Sequence, residues 1–191
     1  MKILIINASP RPQGNLSKML EAMRVEAIGA GVECECVSVS HLQVAPCVGC
    51  MACRQKGACI LPEDDSLRVL RLMQWCDVMV VGAPCYWGNM PGTLKLLFDR
   101  LVYGLMQSGA SGLPKPLHQG KKAIVVSTCT TSYPFNIWFN QSRGAVNAVK
   151  EILKWSGFKV VKCIERGGTH TSPVGEKDLA RCRRLVRRLI G

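Results

Sequence analysis

Three short stretches of the chain are almost unbroken in apolar residues: KILIIN (2–7), VMVVGA (78–83) and AIVVST (123–128). Runs of this length fit strands buried on both faces, as in the middle of a parallel sheet. Two further stretches, VECECVSV (32–39) and KVVKCIE (159–165), are interrupted by charge and predict edge strands, where one side meets water. Between the strands, apolar residues recur at helical spacing. Leu16, Leu20, Met23 and Ala27 share one face. Leu67, Leu70 and Met73 open a second helix, with Asp64 and Asp65 suited to its positive N-terminal end. Leu94, Leu97, Leu101 and Leu105 form a third stripe, begun by Pro91 at a first-turn position. Val146, Val149, Ile152 and Leu153 form a fourth, and Cys182, Leu185, Val186 and Leu189 the last. All five stripes read as core.

Five β-α units in succession imply an α/β fold, a doubly wound parallel sheet with helices on both faces. The polarity pattern makes strands two and five the edges. A five-stranded sheet of order 2-1-3-4-5, the flavodoxin-like arrangement, satisfies that. The chain reverses direction between strands one and three, and ligands bind there, beyond the carboxyl ends of the strands. The loops after KILIIN, VMVVGA and AIVVST are therefore expected to form the site. Without repeat, low-complexity tract or linker, residues 1–191 read as a single flavodoxin-like domain with a cysteine-rich insertion loop at about 45–62.

The composition narrows the class of protein. With 48% apolar residues in 191, the chain can bury a full core. No segment reaches the roughly eighteen consecutive apolar residues of a membrane span. The apolar start at 1–9 lacks a basic region and a small-residue cleavage site, so no signal peptide is read and a cytoplasmic location is expected. Eleven cysteines, an odd count, in a reducing compartment argue against a disulfide framework. The formal charge of +12 favours anionic partners, and much of it sits in the final segment RCRRLVRRLIG.

The first predicted loop, ASPRPQGNLS (8–17), follows a buried strand and opens a helix. A helix start offers unpaired N–H groups and a positive dipole end, both suited to phosphate. Ser9 and Ser17 add hydroxyls, Asn15 an amide, Leu16 a backbone N–H, and Arg11 a guanidinium that can fork onto two oxygens. Gly14 lets the backbone turn. The competing reading is an ordinary helix cap formed by Asn15 or Ser17. Neither G-x-G-x-x-G nor a P-loop signature follows the strand, which counts against a dinucleotide fold and an NTPase.

SPRPQGN resembles the S-P-R-x-x-G-N phosphate loop of the NADPH-dependent FMN reductase family of flavodoxin-like proteins. PCYWGNMPGTLKLLFDR (84–100) resembles that family's second signature segment. The resemblance covers nearly the whole chain. It implies FMN as cofactor and NAD(P)H as electron donor. It also implies that Pro84, Cys85, Tyr86, Trp87, Gly88 and Asn89 hold the flavin ring, largely through backbone groups. Tyr86 and Trp87 would cover apolar ring surface. Thr128 and Thr130 are expected on its far side, in TCTTSYPFNIW (128–138). That loop departs from the family's glycine-rich turn. Its Tyr133, Phe135 and Trp138 can wall a substrate pocket or meet a partner chain. Lys95, Asp99 and Arg100 belong to the family pattern and are expected to be structural or to touch a subunit.

Cys47, Cys50, Cys53 and Cys59 are spaced C-x2-C-x2-C-x5-C, in the connection after the second strand and on the expected active-site side of the sheet. A compact loop can aim four thiolates inward, as a [4Fe–4S] cluster requires. The run resembles the cluster motif of the iron–sulfur flavoprotein branch of the same family. Zinc and an empty thiol loop remain open alternatives, although structural zinc more often takes two separated pairs. Cys85 and Cys129 read as small fillers beside the flavin, and Cys34, Cys36, Cys76, Cys163 and Cys182 as core. His41, His118 and His170 stand in no catalytic or metal-ligand spacing.

The expected activity is therefore that of an FMN-dependent NAD(P)H oxidoreductase or iron–sulfur flavoprotein. It would pass electrons to a small-molecule or protein acceptor, an acidic redox protein such as ferredoxin among them. The resemblance implies a homodimer or homotetramer. Two alternatives stand beside it: a passive flavodoxin-like electron carrier, and a zinc-binding nucleic-acid module. The second lacks basic residues interleaved with aromatics on a recognition element.

Overall fold

The computed structural model describes residues 1–109 and 113–191. In chain order the elements are β1 (Lys2–Asn7), α1 (Asn15–Gly29), β2 (Glu33–Ser38), a 3-10 turn (Val39–His41), α2 (Ala52–Lys56), α3 (Asp65–Trp75), β3 (Val78–Pro84) and α4 (Gly92–Arg100). They continue with α5 (Val102–Leu105), β4 (Met106–Ser108), β5 (Pro114–Pro116), β6 (Lys122–Thr128), α6 (Phe135–Trp138), α7 (Ser142–Ser156), β7 (Lys159–Arg166) and α8 (Glu176–Ile190). Five strands form one parallel sheet in the order β2-β1-β3-β6-β7. Setting aside the small antiparallel β4–β5 pair, this is the expected flavodoxin-like order, with the two edges where the polarity pattern puts them.

The burial pattern explains why that inference worked. In β3, residues 78–83 are all buried, and in β6 residues 123–128 are. In β2 only Val37 is buried, and in β7 only Ile164. Side chains alternate across the pleat. Leu4, Ile6, Met79, Val81 and Val125 therefore join Val69, Leu97 and Val149 on one face. Ile3, Ile5, Val80 and Val126 join Leu16, Met23, Cys182 and Val186 on the other. Full burial of each such side chain stabilises the fold by about 1.5–3 kcal/mol.

The helix ends differ in part from expectation. Asp64 caps α3, accepting from Ser66 N at 2.9 Å, and Asp65 follows in the first turn. Helix α1 instead starts at Gly14 with no side-chain cap, so neither Asn15 nor Ser17 is the capping residue. The leucine stripe 94–105 spans two helices, because α4 ends at Arg100 and Leu105 belongs to α5. The core assignment of the cysteines holds for Cys76 and Cys182. Cys36 is exposed and Cys34 and Cys163 are half-buried, because each lies on an edge strand with one face to water. Burial pushes the Cys76 and Cys182 thiols up to about 11. Among the described residues, no helix is long and apolar enough to cross a membrane.

Candidate functional site

The loops leaving the carboxyl ends of the strands are stitched to one another by direct bonds. Ala8 N donates to Gly82 O (2.9 Å), Cys85 N to Thr128 O (2.9 Å) and Cys129 N to Arg166 O (3.0 Å). The Thr169 hydroxyl donates to Cys129 O at 2.9 Å. The three loops expected to form the site are thus brought together, and the loop after β7 joins them.

In the first loop, Asn7 organises the turn. Its Oδ1 accepts from Ser9 N (3.0 Å) and its Nδ2 donates to Ser17 Oγ (3.0 Å). Ser17 Oγ donates to Arg11 O at 2.8 Å, and Ser9 Oγ accepts from Arg11 N at 3.2 Å. The first bond into the helix is Lys18 N to Gly14 O (3.0 Å). The N–H groups of Asn15, Leu16 and Ser17 precede it, at the positive end of the helix. Leu16 is buried, so it offers the site only its backbone. Arg11 is exposed at the loop tip. The Asn15 side chain departs from its expected role. Its Nδ2 donates to Thr169 O (3.3 Å) and its Oδ1 accepts from Val174 N (2.9 Å). It ties α1 to the loop after β7 and leaves only its backbone N–H for an anion.

The second loop is a tight turn. Tyr86 N donates to Asn89 O (2.9 Å) and Asn89 N returns a bond to Tyr86 O (3.0 Å). Its two central residues, Trp87 (φ 53°) and Gly88 (φ 70°), are both left-handed, as a type I′ turn requires. Glycine adopts that conformation freely; a tryptophan there is strained and marks a constrained site. Trp87 is also fully exposed, so no packing within the chain compensates it. The turn rests on the start of α7. A Cβ placed on Gly144 would lie 1.9 Å from Gly88 O. Nothing in the sequence pattern pointed to Gly144, because the contact joins residues far apart in the chain.

In the third loop, Thr128 is buried and Thr130 exposed. Burial pushes up the thiols of Cys85 and Cys129 beside it; Cys129 is buried, as expected of a small filler, whereas Cys85 is only half-buried. Tyr133, Phe135, Trp138 and Phe139 are exposed. Phe135 stacks on Phe139 (ring centroids 5.6 Å apart) and meets Trp138 edge-on (5.9 Å). Phe139 was not singled out from sequence and extends this aromatic rim.

All four motif cysteines, Cys47, Cys50, Cys53 and Cys59, line one cavity of about 480 Å³, and all are free thiols. Phe98, Arg100 and Tyr103 line it too, as does α7 from Glu151 to Ser156. No residue of 84–89 or 128–130 does. The loop leaves β2 on the expected side, but the space it encloses runs beside α4 and the far half of α7 rather than opening into the flavin loops. Among the described residues, no three Cys, His, Asp or Glu side chains converge on a single metal ion. A tetrahedral zinc would need sulfurs within about 3.8 Å of one another, given Zn–S bonds of about 2.3 Å. The four thiols that line the cavity are the donor set that zinc and iron–sulfur clusters share.

The base of this loop is held by charge. Asp64 Oδ2 accepts from Ala45 N (3.0 Å), and Asp65 Oδ2 from Gln43 N (2.7 Å). Arg100, 3% exposed, pairs with Asp64 at 3.2 Å and donates to Pro62 O at 2.8 Å and to Cys59 Sγ. Burial alone would raise the Asp64 carboxyl, but the bonds from Ser66, Ala45 and Arg100 hold it below its ordinary value of 3.8. Lys95 and Asp99 form the expected exposed i, i+4 pair (2.6 Å).

A sequence family described as a flavodoxin-like fold matches residues 1–189. An iron-sulfur flavoprotein of Methanosarcina thermophila is 41% identical over 102 residues, which are 53% of this chain and 53% of that protein. The chain spans about half the length of several iron-sulfur flavoproteins that it matches. An FMN-dependent NADH:quinone oxidoreductase of Pseudomonas aeruginosa is 25% identical over 206 residues, covering 99% of this chain and 92% of that one. Among solved structures, the NAD(P)H:quinone oxidoreductase from Methanothermobacter marburgensis superimposes with a TM-score of 0.79 at 20% identity, covering 100% of this chain and 96% of the other. That last likeness shows the fold.

Proposed function

The chain belongs to this flavodoxin-like fold family, and from that premise we propose that it is an FMN-dependent oxidoreductase whose four-cysteine loop holds a [4Fe–4S] cluster. NAD(P)H or a reduced protein would supply the electrons, and a small molecule or an acidic redox protein would take them. The observation that carries the reading is the placement of four free thiols around one cavity, in a fold whose carboxyl-end loops converge. The names of the Methanosarcina and Pseudomonas relatives, one an iron-sulfur flavoprotein and one FMN-dependent, support the two cofactors.

When bound, FMN accepts electrons as a hydride pair and can release them singly, and a cluster takes them one at a time. The chain's own residues position and tune. The N–H groups of Asn15, Leu16 and Ser17, the Ser9 and Ser17 hydroxyls and the Arg11 guanidinium would bind the FMN phosphate. The turn 86–89, extending from Pro84 and Cys85, would present backbone N–H groups to the polar edge of the ring. Thr128 and Thr130 would lie on the opposite side. The exposed aromatic rim would exclude water from the ring face. Cys47, Cys50, Cys53 and Cys59 would ligate the irons. The site needs no side chain as acid, base or nucleophile.

The same reading places residues 1–191 in one domain with the insertion at about 45–62. It also places the protein in the cytoplasm, whose reducing conditions suit eleven free cysteines. A homodimer or homotetramer would cover the aromatic rim. Titration of flavin-free protein with FMN, followed by quenching of flavin fluorescence, tests the cofactor. One FMN per chain is expected, with NADH or NADPH oxidised steadily when a quinone is present. Failure to bind FMN contradicts the proposal. Binding without steady oxidation of either nucleotide would leave a passive electron carrier instead.

A further inference from the structure

We propose that Arg100 is the positioning residue of the cysteine loop and the charge partner of whatever iron–sulfur group the loop holds. This rests on the cluster reading above. Arg100 is buried to 97%, being 3% exposed, and a buried guanidinium must be paired or hydrogen-bonded to be tolerated. Its one carboxylate partner, Asp64, is shared. Asp64 also accepts from Ala45 N (3.0 Å) and Ser66 N (2.9 Å). The rest of the guanidinium is spent on Pro62 O and on Cys59 Sγ. Through these contacts one side chain reaches both ends of the loop: Ala45, two residues before Cys47, and Cys59 with Pro62 at the far end.

The other charges around the cavity are answered elsewhere or exposed. Lys95 pairs with Asp99, Glu151 accepts from Trp155 Nε1 (2.6 Å), and Arg54 is exposed. Among the described residues, Cys59 is the one motif cysteine that accepts a side-chain hydrogen bond. Cys53 and Cys59 are half-buried and Cys47 and Cys50 exposed, and four thiolates ligating one cluster would concentrate negative charge beside Arg100. A fixed cation donating to one of their sulfurs favours the state carrying one more electron, and hydrogen bonds to cluster sulfurs are a main determinant of potential. Arg100 therefore raises the potential of the group and makes Cys59 its electrostatically distinct ligand.

The test compares wild type, Arg100→Gln and Arg100→Lys as anaerobically reconstituted holoproteins, with iron content and an EPR-monitored redox titration on each. Arg100→Gln should lower the one-electron reduction equilibrium about tenfold, 59 mV. Arg100→Lys keeps the charge but loses the fork, and should restore more than half of that shift. A potential for Arg100→Gln within twofold of wild type in the equilibrium would overturn the charge role. A purely structural role would lower iron content in both variants without this graded shift. Limited proteolysis of the iron-free proteins supplies the second readout and does not depend on cluster or flavin. Both variants should be cut about tenfold faster within 46–58, and unchanged cutting would overturn the positioning role. If wild type itself takes up no iron, the cluster reading fails, and the charge role with it. The proteolysis then judges the clamp alone.

Discussion

The turn at 86–89 and the loop at 47–59 are both candidate cofactor sites, yet they are built by different means. The turn is closed by two backbone bonds to itself and anchored to Thr128 through Cys85 N. The cysteine loop is latched at its base by carboxylates and one buried guanidinium. Backbone geometry persists whether or not a ligand is present. A loop hung from ionised side chains depends on those charges. The flavin cradle should therefore be indifferent to charge changes that loosen the cysteine cavity, and steric changes under the turn should spare the cavity.

The largest separation should come from Asp64→Ala. It leaves Arg100 buried without its carboxylate, and breaking such a pair costs about 3–5 kcal/mol. Urea unfolding at neutral pH measures the loss. The sign with pH follows from the depressed carboxyl: wild type keeps this stabilisation above pH 3.8 and loses it as the pH falls below that value, so the two proteins should converge in acid. FMN affinity of the folded variant should stay within about twofold of wild type. Gly144→Ala probes the other region. Its Cβ would lie 1.9 Å from Gly88 O, and overpacking of this kind costs about 1–3 kcal/mol. Here FMN binding should weaken at least about tenfold by fluorescence titration, because the displaced group is the ring-facing turn, while iron uptake should be unaffected.

A smaller effect with the opposite sign is expected at Trp87. It is left-handed and fully exposed, and a side chain in that conformation costs about 1–2 kcal/mol, less for asparagine. Trp87→Asn should raise the thermal midpoint of flavin-free protein slightly while weakening FMN binding. The smallest effect belongs to pH alone. His118 is buried, donates through Nε2 to Gly104 O (2.9 Å) and stacks on Phe158 (4.9 Å). Burial lowers its pKa below 6.5, outweighing the bond to Gly104, so its neutral form is favoured in the fold. Its contribution is complete above pH 6.5 and is lost as the pH falls below that value. His118 joins α5 to the end of α7, since its N–H also donates to Ser156 O (2.9 Å). Hydrogen exchange between pH 7.5 and 5.5 should therefore quicken at 102–106 and 150–156 and not at 86–89.

The sheet was legible because burial on two faces and on one face leave different patterns. The unbroken apolar run of β3 and the interrupted runs of β2 and β7 separate inner strands from edges, and the flavodoxin-like order is one that satisfies those edges. The first loop was legible in position but not in detail. Asn15 has the right chemistry for phosphate, yet its amide serves Thr169 and Val174, residues more than 150 positions away. The cysteines announced a shared cavity by their spacing. Its location, and Arg100 as the residue closing it, did not show, because the contacts of Arg100 cross 36 to 41 positions. Gly144 was invisible for the same reason. What sequence shows is periodicity and local spacing; what it hides is which distant backbone atom a side chain meets.

The central claim is that two redox groups share this chain. The visible absorption spectrum of anaerobically purified protein, with iron and zinc determined on the same sample, tests it most directly. The account predicts flavin bands over a broad iron–sulfide absorbance, with about four irons per chain. Flavin bands without iron, or with zinc in its place, would contradict the cluster. A spectrum without flavin would contradict the account as a whole.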